Sequence, residues 1–338
     1  MGSISGIINQ LTAGKSLNVS EASGLMTFIM EGEATPAQIG SILTALTIKG
    51  ESPEEIAGMA KTMQGKSLIV DFDGPLADSC GTGGDNSRTF NISTTSALVA
   101  AAAGLTMAKH GNRAASSTCG SADVLEALGV NIDLGPNEVA RCLTEVGFGF
   151  LFAPNFHPAM KYAGPIRKEI GIKTVFNILG PLTNPARAKH QLIGVHDPNL
   201  GPIIAEVLAL MGTVHSVVVH GEDGLDEISI GTTTQIWEVD SSGVNHYSIS
   251  PALLGIAPAD KSQLMAETVS DNVNLLLKVL EGEKGPHRDI VLLNTAGVLL
   301  AGDVVTNFEE GIISAVEAID SGKAKLKLQE LLTVTQSF

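Results

Sequence analysis

Three glycines stand close together in "DSCGTGGDNSRTFNIST", residues 78–94, just ahead of an apolar run. Gly81, Gly83 and Gly84 allow positive φ, so successive backbone N–H groups can point at an anion beside the N-terminus of a following helix. The spacing matches neither the GxxxxGK[ST] phosphate loop nor the GxGxxG dinucleotide motif. The segment therefore predicts a phosphate-binding loop of another kind, with an ordinary turn as the alternative.

A second segment rich in small residues is "AKHGNRAASSTCGSADVLEALG", residues 108–129. Lys109 and Arg113 bring positive charge there, and Gly111, Gly120 and Ser121 supply hydrogen-bonding backbone ahead of a predicted helix. We expect this segment and the glycine-rich segment to enclose one polyphosphate between them. A solvated basic turn is the alternative for this segment taken alone.

Two other segments carry side chains suited to a cation and to a carboxylate. Asp226 and Glu227 follow the apolar run "SVVVHG" and a glycine-containing turn, and paired carboxylates beside a phosphate site suit Mg²⁺, which prefers oxygen ligands. Arg167 can bind a small carboxylate through two hydrogen bonds, and His157 can form a wall of an aromatic pocket. Solvated acidic residues and a surface salt bridge of Arg167 are the alternatives.

The acidic composition limits the classes of partner. The 338-residue chain has a formal net charge of −15, which disfavours non-specific binding to nucleic acid and to anionic membranes. Its apolar runs are far shorter than the ~20 residues that span a bilayer. The three cysteines suit a reducing compartment, and the eight histidines lack a zinc-binding spacing. We expect a cytoplasmic protein with no nucleic-acid and no membrane partner.

The elements that must position these residues fall into two groups. Up to about residue 65, capping sequences such as Thr35, Pro36 and Gln38 precede helical apolar periods. From the run at 67–72 onward, helical periods such as 136–147 alternate with β-branched runs, which lie at 130–134, 148–153, 191–196 and 216–221. That alternation is typical of a mostly parallel sheet covered by helices.

The sequence thus predicts an α/β protein with two domains. A small helical N-terminal domain covers residues 1–70 and is completed by a segment near 168–190. A larger α/β domain with a mostly parallel central sheet covers residues 71–338 and carries the phosphate site.

Taken together, "GTGGD", "NIST", "KHGNR", "GSAD", "NILGPLTNP" and "GLDE" resemble the anthranilate phosphoribosyltransferases over nearly the whole chain. The resemblance implies the type III phosphoribosyltransferase fold, shared with pyrimidine nucleoside phosphorylases, and a homodimer formed through the helical domain. It also implies that a phosphoribosyl group passes from phosphoribosyl pyrophosphate to the amine of anthranilate, releasing pyrophosphate. That reaction is the second step of tryptophan biosynthesis from chorismate, and it uses two Mg²⁺ ions per monomer.

The resemblance also implies a role for individual residues. The residues that would bind phosphoribosyl pyrophosphate are Gly81, Gly84, Asp85, Thr89, Asn91, Ile92, Ser93, Thr94, Lys109, His110, Gly111, Asn112, Arg113, Ala114, Ala115, Ser116, Ser117 and Ser121. Those that would bind anthranilate are Gly81, Asn112 and Arg167, with His110 and His157 as lesser contributors. The magnesium ligands would be Ser93, Asp226 and Glu227. No side chain is expected to act as nucleophile, because positioning and electrostatic stabilisation suffice.

Two departures and two competing functions remain open. Thr118 stands where many members of the family have lysine, and Asn86 follows "GTGGD" where glycine is usual. A nucleoside phosphorylase on the same fold would bind free phosphate and a pyrimidine and would need no magnesium pair, so Arg167, Asn112 and the carboxylates of "GLDE" speak against it. A non-catalytic relative that binds nucleic acid is disfavoured by the net negative charge.

Overall fold

The structure is a computed structural model that describes residues 3–85, 87–114 and 119–338. Four helices open the chain: α1 (Ile4–Thr12), α2 (Val19–Met30), α3 (Pro36–Lys49) and α4 (Pro53–Gly65). Helices α3 and α4 begin at the predicted capping boxes, in which Thr35 pairs with Gln38 and Ser52 with Glu55. The predicted small helical N-terminal unit is confirmed.

One sheet of seven strands forms the centre of the larger domain. Its strands are β1 (Ala77–Gly81), β2 (Met107–Gly111), β3 (Phe148–Phe152), β4 (His190–Gly194), β5 (His215–Gly221), β6 (Thr234–Asp240) and β7 (Gly243–Ile249). They lie in the order β3-β2-β1-β4-β5-β6-β7. The first five strands in that order pair in parallel, and β6 and β7 are antiparallel. The predicted mostly parallel sheet is confirmed.

Eleven further helices lie in the described residues that follow β1. They are α5 (Ile92–Ala102), α6 (Ser121–Ala127), α7 (Pro136–Val146), α8 (Ala153–Phe156), α9 (Gly164–Ile170), α10 (Phe176–Leu179), α11 (Leu200–Met211), α12 (Val269–Leu280), α13 (Pro286–Ala301), α14 (Phe308–Asp320) and α15 (Lys323–Thr335). Helix α7 ends at Gly147, whose φ of 74° is left-handed, as its sequence predicts. Within the described ranges, no helix is both long and apolar enough to cross a membrane.

Two of the predicted β-branched runs are not strands. Residues 67–72 and 130–134 are irregular, although Val70, Val130 and Ile132 are buried. Their backbone groups bond to isolated partners: the Leu68 N–H donates to the Phe156 carbonyl at 2.9 Å, and the Asn131 N–H donates to Thr335 Oγ1. These runs are apolar because they cover the core as loops, and burial alone does not distinguish such a loop from a strand.

Alternate residues of the central strands face two separate cores. Leu192 and Val217 belong to the core that contains α5 and α13. Ile193 and Val218 belong to the core on the opposite face, which includes α11 and the apolar residues of α1–α4. Residues from 163 to 182 join this second core. The sheet therefore has helices on both faces.

Candidate functional site

The predicted site segments meet at the carboxyl ends of the parallel strands. Strands β1, β2, β4 and β5 end at Gly81, Gly111, Gly194 and Gly221, and the segments that follow β1, β2 and β5 carry most of the predicted residues. In open α/β sheets this edge is where ligands bind, because the connecting loops and helix N-termini converge there.

The glycine-rich turn after β1 is held against Asp226. Gly83 and Gly84 have φ of 64° and 83°, which favours glycine. The Gly83 N–H donates to Asp226 Oδ2 at 2.8 Å. Gly81 and Gly194 are partners on adjacent strands, and a Cβ on either would collide with Asp226, with its carboxylate at Gly81 and with its backbone carbonyl at Gly194. Two strand-end glycines therefore make the space that admits Asp226.

Asp226, Glu227 and Asp85 form a cluster of acidic side chains around this turn. Burial, followed by the charge of Asp85, raises the pKa of Asp226 to about 7. The pKa of Glu227 is raised well above its usual range by burial and then by Asp226, while Lys109 and the Ser93 N–H oppose the shift. Carboxylates that repel one another at this depth favour a bound cation or proton.

The acidic cluster fits Mg²⁺ only with help from other ligands. Among the described residues, no three His, Cys, Asp or Glu side chains are arranged to hold a metal ion by themselves. Mg²⁺ is commonly bound by one or two carboxylates and completed by water and substrate phosphate oxygens. The repelling carboxylates of Asp226 and Glu227 therefore suit an ion that arrives with a phosphate ligand.

Lys109 is a buried cation on β2, with a relative exposure of 1%. Its Nζ donates to the Ser79 carbonyl at 2.6 Å and to Ser93 Oγ at 3.2 Å. Ser93 lies in the first turn of α5, where the helix dipole favours an anion, while its own N–H donates to the Glu227 carboxylate. Lys109 thus adds a full positive charge to the same point.

Asp78 on β1 is the buried counter-charge of Lys109. Burial raises the pKa of the Asp78 carboxyl to about 6, and Lys109 opposes that shift. Its carboxylate accepts from Asn184 Nδ2 at 2.8 Å and from the His110 N–H at 3.1 Å. Asp78 and Asn184 were not predicted as site-supporting residues, because β1 lacks the apolar pattern that would have identified Asp78 as a polar residue in a buried strand.

The "NIST" residues meet the site in different ways. The Asn91 N–H donates to Asn272 Oδ1 at 2.8 Å, and the Asn91 side-chain amide donates to the Cys119 carbonyl at 3.3 Å. The side chains of Ile92 and Thr94 are buried, with exposures of 1% and 0%. These two residues can therefore meet a ligand only through their backbone, and the Ile92 N–H already donates to the Phe90 carbonyl at 2.7 Å.

Thr89 and Asp85 flank this helix start on the glycine-turn side. Thr89 pairs with Met265 in an isolated antiparallel bridge, and its Oγ1 lies 3.2 Å from Ser87 Oγ. Asp85 Oδ1 accepts from the Ser87 N–H at 3.3 Å. Both residues border the turn rather than the core.

The segment after β2 is braced by α6. Arg113 donates to Glu126 at 2.7 Å and to Asp123 at 3.1 Å, and these partners raise its pKa. The Ala114 N–H also donates to Asp123, at 2.9 Å. The Arg113 charge is already matched by two carboxylates, which the sequence did not indicate.

The backbone of the same segment is equally close to α6. Asn112 accepts at its carbonyl from Ser121 Oγ at 3.4 Å, and a Cβ on Gly111 would collide with the same hydroxyl. Small residues are therefore required for α6 to lie against the end of β2. The remaining predicted residues of this loop, Ala115, Ser116, Ser117 and the variant Thr118, fall outside the described residues, as does Asn86.

His110 and His157 form a neutral pair of rings. Their centroids are 5.1 Å apart. Burial lowers the pKa of His110 to about 3 and that of His157 to about 4, and the neighbouring His157 adds to the shift of His110. His110 Nδ1 lies 3.2 Å from the Gly180 carbonyl. In the described part of the chain neither Nε2 atom has a hydrogen-bond partner.

Arg167 lies on α9, beside Phe176. Its guanidinium carbon is 4.9 Å from the centroid of the Phe176 ring, and burial lowers its pKa. Its side chain has no hydrogen bond or ion pair to any residue that the structure describes, so the surface salt bridge considered above is not formed. A half-buried guanidinium with free donors is suited to a carboxylate ligand.

Comparison with known proteins agrees with this arrangement. Residues 5–67 match the glycosyl transferase family, helical bundle domain, and residues 73–325 match the glycosyl transferase family, a/b domain. The anthranilate phosphoribosyltransferase of Herpetosiphon aurantiacus is 54% identical over 318 residues, which are 94% of each chain. That of Chloroflexus aggregans is 52% identical over 97% of each chain.

Solved structures show the same likeness. The crystal structure of anthranilate phosphoribosyltransferase from Thermus thermophilus is 41% identical with a TM-score of 0.93, over 97% of this chain and 99% of that one. The Saccharomyces cerevisiae enzyme in complex with phosphoribosyl pyrophosphate and Mg is 30% identical with a TM-score of 0.92, over 99% and 98%. The same yeast enzyme in complex with 4-fluoroanthranilate has a TM-score of 0.89 at 29% identity, again over 99% and 98%. As its motifs predict, this chain belongs to the anthranilate phosphoribosyltransferase family.

Proposed function

We propose that this protein transfers the phosphoribosyl group of phosphoribosyl pyrophosphate to the amine of anthranilate and releases pyrophosphate. One observation carries the proposal beyond family membership. The glycine turn, the buried Lys109, the first turn of α5 and the Asp226–Glu227 pair converge at one edge of the sheet. That combination offers a cation and the positive end of a helix dipole to phosphate, and carboxylates to the phosphate's counter-ions.

The chemistry needs stabilisation of charge rather than a covalent nucleophile. When the bond from the anomeric carbon to pyrophosphate breaks, positive charge develops on the ribose and negative charge on the leaving group. Lys109 and the N–H groups at the start of α5 would stabilise the phosphate oxygens. Ser93 Oγ is held by Lys109 and would orient toward the same ligand.

Asp226 and Glu227, with Ser93, would hold magnesium that is bound to the pyrophosphate, and we propose two ions per monomer. Bound magnesium would neutralise charge on the leaving group. Burial and mutual repulsion disfavour the ionised form of both carboxylates when no cation is bound. Metal binding and substrate binding should therefore assist each other.

Arg167 and Asn112 would hold anthranilate at the far side of the site. The half-buried Arg167 guanidinium stacks on Phe176 and keeps its donors free, so two of them can bind one carboxylate in a planar fork. The neutral His110–His157 pair would border the aromatic ring. Because the nucleophile is a weakly basic aromatic amine, positioning it beside the sugar would be the main contribution.

The remaining assignments concern assembly and location. We propose a helical domain of residues 1–70 completed by the segment near 168–190, which fits the shared core of Val175, Phe176 and Leu179 with α1–α4. We also propose a homodimer through this domain, in which Ile48 at the end of α3 is 82% exposed. A cytoplasmic location fits a biosynthetic enzyme.

The direct test mixes the purified protein with anthranilate, phosphoribosyl pyrophosphate and Mg²⁺ and follows the loss of anthranilate fluorescence. Phosphate with uridine tests the phosphorylase alternative, and a salt-dependent gel shift tests nucleic-acid binding. Absence of turnover with anthranilate, or turnover only with the nucleoside, would refute the proposal.

The metal assignment is tested by Glu227→Gln, with Glu222→Gln as the matched control. Glu222 is an exposed neighbour that accepts from Gln235 at 2.8 Å. Removing a carboxylate ligand should shift the magnesium titration of activity to concentrations about tenfold higher, whereas Glu222→Gln should leave it unchanged. Superimposable titrations for the Glu227 variant and the wild type would remove Glu227 from the metal site.

A further inference from the structure

A lysine outside the predicted site reaches the glycine turn from the irregular segment between α9 and α10. Lys173 Nζ lies 3.1 Å from His196 Nε2. A Cβ built on Gly84 would stand 3.2 Å from the same Nζ. The ammonium group therefore lies against the backbone of the glycine turn.

The charge around Lys173 distinguishes it from the cations discussed above. Lys109 is bonded to Ser79 and Ser93 inside the sheet, and Arg113 is paired with two carboxylates. The partner of Lys173 is instead an imidazole. Burial, followed by the charge of Lys173, lowers the pKa of His196, while Asp197 and Asp85 oppose that shift. The ring is therefore neutral at pH 7, and within the described residues no carboxylate forms an ion pair with Lys173.

A short chain of hydrogen bonds fixes His196 and, through it, the ammonium group. Because an ammonium group can only donate, Nε2 accepts and the neutral ring must carry its proton on Nδ1. Nδ1 lies 3.4 Å from Thr82 Oγ1, and the Thr82 N–H donates to the Gly194 carbonyl at 2.9 Å. The imidazole is thereby anchored to the end of β4 and to the glycine turn.

The other side of Lys173 touches the helical bundle. Its backbone carbonyl accepts from Thr47 Oγ1 of α3 at 3.3 Å. Lys173 therefore bridges the bundle and the turn through two different groups. A ligand that binds the Lys173 side chain would therefore bind a residue whose backbone also contacts α3.

We propose that Lys173 binds the pyrophosphate part of phosphoribosyl pyrophosphate at the Gly83–Gly84 turn, and that His196 is a positioning residue that holds the ammonium group there beforehand. The inference rests on the proposed function. A bond from an ammonium group to a phosphate oxygen is stronger than one to a neutral imidazole. The Lys173 ammonium group can pass from the imidazole to a phosphate oxygen by rotation of its flexible side chain.

The test compares Lys173→Gln and Lys173→Met with Lys173→Arg, which keeps the charge. Lys15→Gln is the matched control, because it changes net charge equally on an exposed lysine at the end of α1. Michaelis constants are measured for both substrates, and magnesium pyrophosphate is used as an inhibitor competing with phosphoribosyl pyrophosphate. Thermal unfolding verifies that each variant is folded.

Both neutral variants should weaken the binding of phosphoribosyl pyrophosphate and of pyrophosphate about tenfold, which corresponds to a loss of ~1.4 kcal/mol in binding free energy. The KM for anthranilate should stay within about twofold, and Lys173→Arg should restore most of the loss. His196→Ala should raise the KM for phosphoribosyl pyrophosphate about threefold with little change in kcat, and His196→Gln, which keeps an acceptor, should lessen that effect.

An unchanged inhibition constant for pyrophosphate in folded Lys173→Gln or Lys173→Met would overturn the assignment. An equal rise in the KM for anthranilate would also overturn it, because that result would indicate a general structural role of Lys173. Wild-type turnover is measured first: its absence would refute the function, whereas normal wild-type turnover with unaffected variants would refute only the role of Lys173.

Discussion

Gly194→Ala should displace the loop that carries Asp226, although Gly194 belongs to a central strand and contributes no side chain. A Cβ on Gly194 would collide with the carbonyl oxygen of Asp226 and stand 3.2 Å from its Cα. The obstacle is backbone, which cannot rotate away as a flexible side chain can. The chain around Asp226 must therefore shift, or β4 must move within the sheet.

The expected cost follows from overpacking in a closely packed interior, which destabilises proteins by about 1–3 kcal/mol. We expect the upper part of this range, since β4 is paired on both sides and cannot relax easily. The shift would also disturb the 2.8 Å bond between the Gly83 N–H and Asp226. A displacement of about 1 Å in a catalytic group can lower the rate roughly a hundredfold.

The assay combines urea unfolding with the magnesium dependence of turnover. Gly65→Ala serves as the control, because Gly65 ends α4 without a positive φ and nothing lies within 4 Å of its Cβ position. That control should be neutral or stabilising by about 0.5–1 kcal/mol. If Gly194→Ala unfolds like the wild type and keeps its magnesium titration, the close approach of Asp226 to β4 is refuted.

Two further predictions concern a histidine and an arginine elsewhere in the fold. His215 lies 2.9 Å from Glu238 Oε1 and 2.6 Å from Asp303 Oδ1, and bonds to Glu238 and then Asp303 raise its pKa above the ordinary 6.5. The charged form of His215 stabilises the fold fully below pH 6.5, and this contribution is lost as pH rises through the raised pKa. His215→Gln should therefore lower the free energy of unfolding by on the order of 1 kcal/mol at pH 6 and by less at pH 9. Equal losses of unfolding free energy at both pH values would contradict this prediction. Arg167→Ala should raise the KM for anthranilate about tenfold or more and leave that for phosphoribosyl pyrophosphate nearly unchanged, and equal effects in steady-state kinetics would remove Arg167 from the acceptor site.

The helical bundle illustrates what local sequence can predict. Thr35 with Gln38 and Ser52 with Glu55 form capping boxes in the structure because the interaction spans only three residues. Strands β3, β4 and β5 were also predictable, since their apolar runs are buried on both faces of the sheet.

Strands β1 and β2 were not predicted, and the reason is their function. Asp78, Ser79, Lys109 and His110 are polar residues in buried central strands, so neither strand carries the apolar pattern that identifies others. Asp78, Ser79 and Lys109 are bonded to partners far away in sequence, such as Asn184 for Asp78. Local propensity yields to tertiary contacts at such sites.

The sequence by itself determined the family, the class of fold and the chemical inventory of the site, because motifs and periodicity are local properties of the chain. Only the tertiary structure decided which groups remain available to a ligand. In the folded chain Arg113 is paired with acidic partners, and the side chains of Ile92 and Thr94 are buried. Lys173 lies against the glycine turn. Such pairings depend on distances between residues far apart in the chain, which become defined only when the chain folds.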